Sequence, residues 1–106
     1  MEMNRRDGGI PGMDGGPLTV ERLFEIRNRL GLHARAAAKL VHLSNRYAAE
    51  IRLVKDEVEV NGKSIMGVLM LAAPRDSRIV VRAEGPDAAE AVDAIGALID
   101  GKFGEE

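Results

Sequence analysis

One histidine of this chain stands where a helix is predicted to begin. His33 follows Gly31, which ends a strand pattern, and precedes an alanine-rich run that favours a helix. The free N–H groups and the dipole at a helix N-terminus attract an anion and favour a neutral imidazole with a lone pair for nucleophilic attack. Arg35 can neutralise phosphate oxygens with its planar fork of donors. These residues predict a site that accepts and releases a phosphoryl group, although a histidine that merely caps the helix fits the same pattern.

Other chemistries have little support in the sequence. The serines and the single threonine form no Ser-His-Asp order, no His/Asp/Glu cluster has metal-ligand spacing, and no glycine-rich phosphate loop with its lysine is present. The chain has no cysteine, which excludes disulfides, thiolate metal sites and cysteine nucleophiles. We therefore predict no metal, no cofactor and no enzyme with a deep pocket.

Length and composition indicate one ordinary globular domain. The chain has 106 residues, of which 45% are apolar and 30% are charged. Its net charge of −2 and its aromatic content of 3% disfavour nucleic acid as a partner, because such binders are usually basic and stack bases on aromatic rings. No stretch approaches the ~20 apolar residues of a membrane span, and no apolar segment follows Arg5 and Arg6 as in a secretory signal. We therefore predict a cytoplasmic protein without membrane insertion.

Residues 1–17 differ in composition from the rest of the chain. They carry five of the twelve glycines and two prolines, and they show neither a strand period nor a helix period. We predict a flexible arm over 1–17 and one folded domain over 18–106. A true start at Met3 or Met13 is the alternative.

The domain shows alternating strand and helix patterns. Strands are predicted over 20–28, 49–54, 58–60 and 78–84, and helices over 34–45, 64–71 and 87–99. A tight turn joins the second and third strands, which favours an antiparallel sheet. So few residues cannot cover both faces of that sheet. The order β-α-β-β-α-β-α therefore predicts an α+β, open-faced two-layer sandwich, a four-stranded antiparallel sheet with three helices on one face.

Two segments of the sequence resemble the motifs of one protein family. Gly31-Leu32-His33-Ala34-Arg35 is similar to the active-site motif of HPr, the histidine-containing phosphocarriers of the bacterial phosphoenolpyruvate-dependent phosphotransferase system. The run VNGKSIMGV over 60–68 is similar to that family's second motif, which surrounds a regulatory serine. The resemblance covers 18–103 and includes the spacing between the motifs.

The resemblance implies a role for each matching residue. His33 would be phosphorylated on a ring nitrogen by phospho-enzyme I and would pass the group to a histidine of an EIIA-type acceptor, while Arg35 stabilises the transferring group. Ser64 aligns with the serine that an ATP-dependent HPr kinase/phosphorylase phosphorylates, although an ordinary helix N-cap is a compatible interpretation. Such a protein is a stoichiometric carrier rather than an enzyme, and nothing in the sequence demands more than a monomer.

Partner docking is predicted beside His33. The predicted docking residues are apolar or small: Leu32, Ala34, Ile65, Met66 and Leu69. Basic side chains would ring them and steer acidic partners: Arg27, Arg29, Arg35 and Lys39.

Three interpretations of function differ in their tests, and the first is a phosphocarrier, in which His33→Ala would abolish phosphoryl transfer and leave the fold intact. Ala36 stands where many family members have proline, so the resemblance leaves open a sugar-transport carrier or a nitrogen-type paralogue, while the Ser64 motif favours kinase-regulated carriers. A regulatory module would act mainly by phosphorylation-dependent binding. A small ligand-binding domain with an incidental motif would show a thermal shift with a small molecule and no phosphorylation.

Overall fold

The computed structural model describes residues 18–105, and its elements follow the predicted order. The strands and helices are β1 (Thr19–Glu25), α1 (Ala34–Ser44), β2 (Glu50–Lys55), β3 (Val58–Asn61), α2 (Ile65–Met70), β4 (Arg78–Glu84) and α3 (Ala88–Asp100). A short 3-10 turn at Lys102–Gly104 follows α3. The predicted arm over 1–17 lies outside the described residues.

The four strands form one antiparallel sheet in the order β1-β4-β2-β3. The register places Phe24 beside Ile79, and Leu53 beside both Val81 and Val60. The three helices cover one face, as predicted. The other face carries charged side chains, among which Arg82 of β4 donates to Glu21 of β1 and to Glu59 of β3.

Alternation along the strands explains where the core lies. Each strand directs every second side chain towards the helices, and these side chains are buried: Phe24, Ile51, Leu53, Val60, Ile79, Val81 and Ala83. They meet the apolar stripes of α1 and α3 at helical spacing. A side chain at Gly96 of α3 would collide with the ring of Phe24, so the helix packs directly on the sheet at that point.

The first strand is shorter than predicted, because it ends at Glu25 rather than at residue 28. The backbone N–H of Ile26 donates to the carbonyl of Ser77 (2.8 Å), and the N–H of Asp76 donates to the carbonyl of Ile26 (2.7 Å). These bonds tie Ile26 to the turn before β4, and the chain then bends towards α1. Asn28 is fully buried in this bend.

The segment after α3 was not assigned a structure from the sequence. Phe103 is fully buried there, although its φ of 57° lies in the left-handed region that favours glycine. No helix of the part of the chain that the structure describes is long and apolar enough to cross a membrane.

Candidate functional site

His33 is the N-cap residue of α1. Its backbone is extended (φ −75°, ψ 179°), and its ring Nδ1 accepts a hydrogen bond from the backbone N–H of Arg35 (3.3 Å). Its carbonyl accepts the N–H of Ala37 (2.8 Å), the first bond of the helix. The capping interpretation is therefore confirmed as geometry, and the ring is also 27% exposed and open to a partner.

The loop before His33 is fixed by a close backbone approach. Gly31 has a φ of +68°, and a Cβ at this position would lie 2.6 Å from the carbonyl oxygen of Ala73. The next residue, Leu32, donates its N–H to that same oxygen (2.9 Å). Only glycine satisfies both the left-handed conformation and the missing space. The loop before His33 thus requires glycine at position 31 for a steric reason.

The second ring nitrogen of His33 faces a carboxylate. Nε2 lies 2.6 Å from Oε2 of Glu105, and the other oxygen, Oε1, accepts from Nδ2 of Asn28 (3.1 Å). Asn28 also donates to the carbonyl of Gly31 (2.8 Å). Burial opposes ionisation of Glu105, but the hydrogen bonds from Asn28 and His33 and the nearby charge of Lys39 hold its pKa below the usual value. The carboxylate is therefore the stable form at neutral pH.

The residues that carry Glu105 are tied to α1. Nζ of Lys39 donates to the carbonyl of Phe103 (2.6 Å), and the Phe103 ring is buried in the core. Lys39 was predicted to stand among the basic residues that steer partners. Its ammonium instead holds the chain just before Glu105.

An open pocket surrounds the ring of His33. It is lined by Arg29, Leu30, His33, Ala34, Arg35 and Glu105. The structure thus brings His33 and Arg35 to one site, as the sequence predicts, and it adds Glu105. No group of three or more His, Cys, Asp or Glu side chains within 18–105 could hold a metal ion.

Ser64 is the N-cap residue of α2. Its Oγ accepts the backbone N–H of Gly67 (3.1 Å), and its own N–H donates to the carbonyl of Asn61 (3.2 Å). The N-cap interpretation of Ser64 is confirmed. Its phosphorylation stays a prediction.

The predicted docking residues divide into exposed and buried ones. On α2, Ile65, Met66 and Leu69 are 45%, 72% and 38% exposed, and Ala34 is exposed at the start of α1. Leu32 is only 4% exposed and belongs to the core cluster. Its assignment to the docking surface is therefore corrected. Met70 is as exposed as Met66, and Ile65, Met66, Leu69 and Met70 are together called the α2 patch.

Comparison with known proteins identifies the family to which a chain with this geometry belongs. The family model for the HPr component phosphorylation site of the phosphotransferase system matches residues 20–101. The chain belongs to the HPr family. This confirms the family expected from the two motifs, and HPr proteins are phosphocarriers of the phosphotransferase system.

The chain matches its relatives in the HPr family over nearly their whole length. The chain is 45% identical to the phosphocarrier protein HPr of Cupriavidus necator over 86 residues, which are 81% of this chain and 97% of that protein. It is also 45% identical to the phosphocarrier protein NPr of Shewanella violacea, over 81% of this chain and 94% of the relative. The crystal structure of HPr-C-His from Thermoanaerobacter tengcongensis superposes with a TM-score of 0.80 at 42% identity, covering 82% and 98% of the two chains. The HPr fold is therefore shared across the domain.

Sequence reasoning missed Glu105 and Asn28. Asn28 lies inside the predicted first strand, where it reads as an ordinary polar residue, and Glu105 follows the last apolar stripe. The two are separated by 77 residues. The sequence offered one signal, an isolated Phe103 two residues before an acidic side chain, and nothing in its spacing linked that pair to His33.

Proposed function

We propose that His33 takes a phosphoryl group from phospho-enzyme I and passes it to a histidine of an EIIA-type acceptor protein. The observation that carries this proposal is the position of Nδ1 at the start of α1, where it accepts the backbone N–H of Arg35. A group bonded to Nδ1 would lie against the free N–H groups of the first turn. That environment favours an anion such as a phosphoryl group.

The transfer step follows from this placement. The lone pair of Nδ1 forms the new N–P bond while the bond from phosphorus to the donor breaks, and the electron pair of that bond leaves with the donor. The N–H groups at the start of α1 and the guanidinium of Arg35 stabilise the phosphoryl oxygens. The reverse sequence at the acceptor regenerates free His33. The protein is thus a carrier that each cycle modifies and restores.

Intact-mass spectrometry after incubation with phosphoenolpyruvate and enzyme I tests the proposal. We expect one acid-labile phosphate on the wild type and none on His33→Ala. Replacing an N-cap by alanine typically costs about 1 kcal/mol, so circular dichroism should show a folded variant. An unphosphorylated wild type beside an active enzyme I control would remove the carrier function.

We also propose that Ser64 is a regulatory phosphorylation site for an ATP-dependent kinase. Ser64 precedes the α2 patch, whose exposed Ile65 and Met66 suit partner docking. Phosphoserine adds nearly two negative charges at that edge and would repel acidic partners. A Ser64→Asp variant should therefore transfer phosphoryl groups more slowly than Ser64→Ala does.

A regulatory module is the second candidate, since both the names HPr and NPr occur among relatives of equal identity. We favour a kinase-regulated carrier over a nitrogen-type paralogue because Ser64 stands in its motif. Transfer from the phosphorylated protein to sugar-type and nitrogen-type EIIA proteins separates the two pathways. If binding were the main output, Ser64→Asp would change partner choice more than His33→Ala does.

The site also bears on assembly and location. His33, Arg35 and the N–H groups at the start of α1, which the proposed transfer uses, lie on one short segment of the chain. We therefore propose that the protein acts as a monomer, in the cytoplasm with its phosphoryl donor.

A further inference from the structure

The two ring nitrogens of His33 have different neighbours. Nδ1 accepts a backbone N–H at the start of α1, while Nε2 lies 2.6 Å from the carboxylate of Glu105. A carboxylate only accepts hydrogen bonds, so Nε2 must carry the hydrogen in this contact. A neutral imidazole holds one hydrogen, which leaves the lone pair on Nδ1. The contact with Glu105 therefore selects the nitrogen that can attack phosphorus.

Glu105 and the residues just before it are held by several contacts, which argues against a chance surface contact. Asn28, fully buried, binds the second carboxylate oxygen, and Lys39 binds the backbone at Phe103. Phe103 is itself buried in the core. Lys102 and Phe103 both have a positive φ, 59° and 57°. Such conformations are costly for residues other than glycine and persist only when the surroundings hold them.

The carboxylate can also act during the transfer itself. When Nδ1 bonds to phosphorus, the ring gains positive charge that it shares with Nε2–H. A carboxylate that accepts from Nε2–H stabilises this charge and keeps the ring orientation, as the buried aspartate does for the histidine of a serine protease. Glu105 lies on the side of the ring opposite the reacting nitrogen, so it need not leave when the phosphoryl group arrives.

We propose that residues 102–105 form a C-terminal clasp in which Glu105 is a positioning residue for His33, holding the hydrogen on Nε2 and the lone pair on Nδ1. This inference rests on the proposed function of His33. Glu105 does not contact the phosphoryl group and is not a catalytic residue. It acts through the ring, by fixing the ring's orientation and tautomer and by stabilising the charge that the ring gains.

Glu105→Gln is the decisive variant. The amide has only one acceptor oxygen, whereas Asn28 and His33 each donate to a carboxylate oxygen in the wild type. The glutamine oxygen can accept from only one of these two donors, and the glutamine NH2 group would face the other donor. Glu106→Gln is the matched control, since it makes the same change of charge one residue further along.

Two readouts test the clasp. The 15N chemical shifts of the His33 ring at a pH where it is neutral should show the Nε2–H tautomer in wild type and Glu106→Gln, and a mixture in Glu105→Gln. The single-turnover rate of phosphorylation by phospho-enzyme I should fall roughly tenfold in Glu105→Gln, the low end of the roughly 10- to 100-fold effect of partners that orient metal-binding histidines. Lys39→Met, which releases Phe103, should give a smaller fall in the same direction.

Three results would overturn the clasp. They are an unchanged tautomer in Glu105→Gln, a changed tautomer with an unchanged rate, and an equal fall in rate in Glu105→Gln and Glu106→Gln. Failure of the proposed function would look different, because the wild type would stay unphosphorylated while the tautomer of its ring remained measurable.

Discussion

Two helices of this protein are capped by a residue for which we propose phosphorylation, and the two residues are held differently. His33 caps α1 and Ser64 caps α2, each by accepting a backbone N–H two or three residues ahead. His33 makes a second contact through its other ring nitrogen, Nε2, which lies against the carboxylate of Glu105. The helices that they cap also differ in length, since α1 has 11 residues and α2 has six.

The difference teaches what each site needs. A nucleophile must present one particular atom in one direction, so two fixed contacts on one ring are useful at His33. A serine that a separate kinase modifies needs only to be reachable. Ser64 is half-buried and lies beside the exposed α2 patch, and the chemistry of its modification would belong to the kinase.

The largest expected effect comes from removing the anchor of the clasp. Phe103→Ala deletes a fully buried ring and should lower the free energy of unfolding by about 3–5 kcal/mol. It would also weaken the contact between Nε2 of His33 and Glu105, so that His33 would keep only its capping bond, as Ser64 does. Urea denaturation measures the stability, and single-turnover phosphorylation of the folded fraction measures the site.

Ile79→Ala is the control for that experiment. Ile79 is equally buried but lies on β4, in the sheet. We expect it to lose comparable stability while keeping the phosphorylation rate of its folded fraction. If the folded fraction of Phe103→Ala were phosphorylated at the wild-type rate, the contacts around residues 102–105 would matter for stability and not for the function of His33.

A smaller effect is expected at the other cap. Ser64→Ala removes the bond to Gly67 and should cost about 1 kcal/mol of stability. The phosphorylation of His33 should remain at the wild-type rate, as measured by the same single-turnover assay. A large fall in that rate would mean that the two caps are coupled rather than independent.

The smallest effect is a difference in pH dependence. Because the pKa of Glu105 is lowered in the folded protein, its ionised form contributes stability that is present above the usual glutamate pKa of about 4.3 and is lost as pH falls through the lowered value. The stability difference between wild type and Glu105→Gln should therefore shrink at acid pH. The difference between wild type and Ser64→Ala should not change, because a hydroxyl does not titrate there. Urea midpoints at neutral pH and below pH 4 would show either pattern.

Local patterns were sufficient to predict much of the fold and both caps. The alternation in β4 and the stripe of α3 predicted their elements because each is a repeating signal within one segment. Equally local signals placed His33 and Ser64 at helix starts: a glycine followed by an alanine-rich run at His33, and a serine before an apolar run at Ser64. The end of β1 was misplaced because the bonds between Ile26 and the turn before β4 decide it, and these join distant parts of the chain.

The missed residues have a similar cause. Glu105 reaches His33 across 72 residues, and no period or spacing encodes such a contact. Leu32 was assigned to the surface because an apolar side chain next to a functional motif suits either a core or a docking role. Only the approach of the loop to Ala73 decides between them.

The sheet order has a consequence for the kinetics of folding. β2 and β3 are joined by a tight turn, but β1 pairs with β4, so that Thr19 meets Glu84 across most of the domain. Closing a loop of that length costs chain entropy before its contacts form, and distant pairings slow folding. The bend that holds Asn28 follows β1 directly. We therefore expect amide protons of the β2–β3 hairpin to gain protection from hydrogen exchange earlier in refolding than those around Asn28.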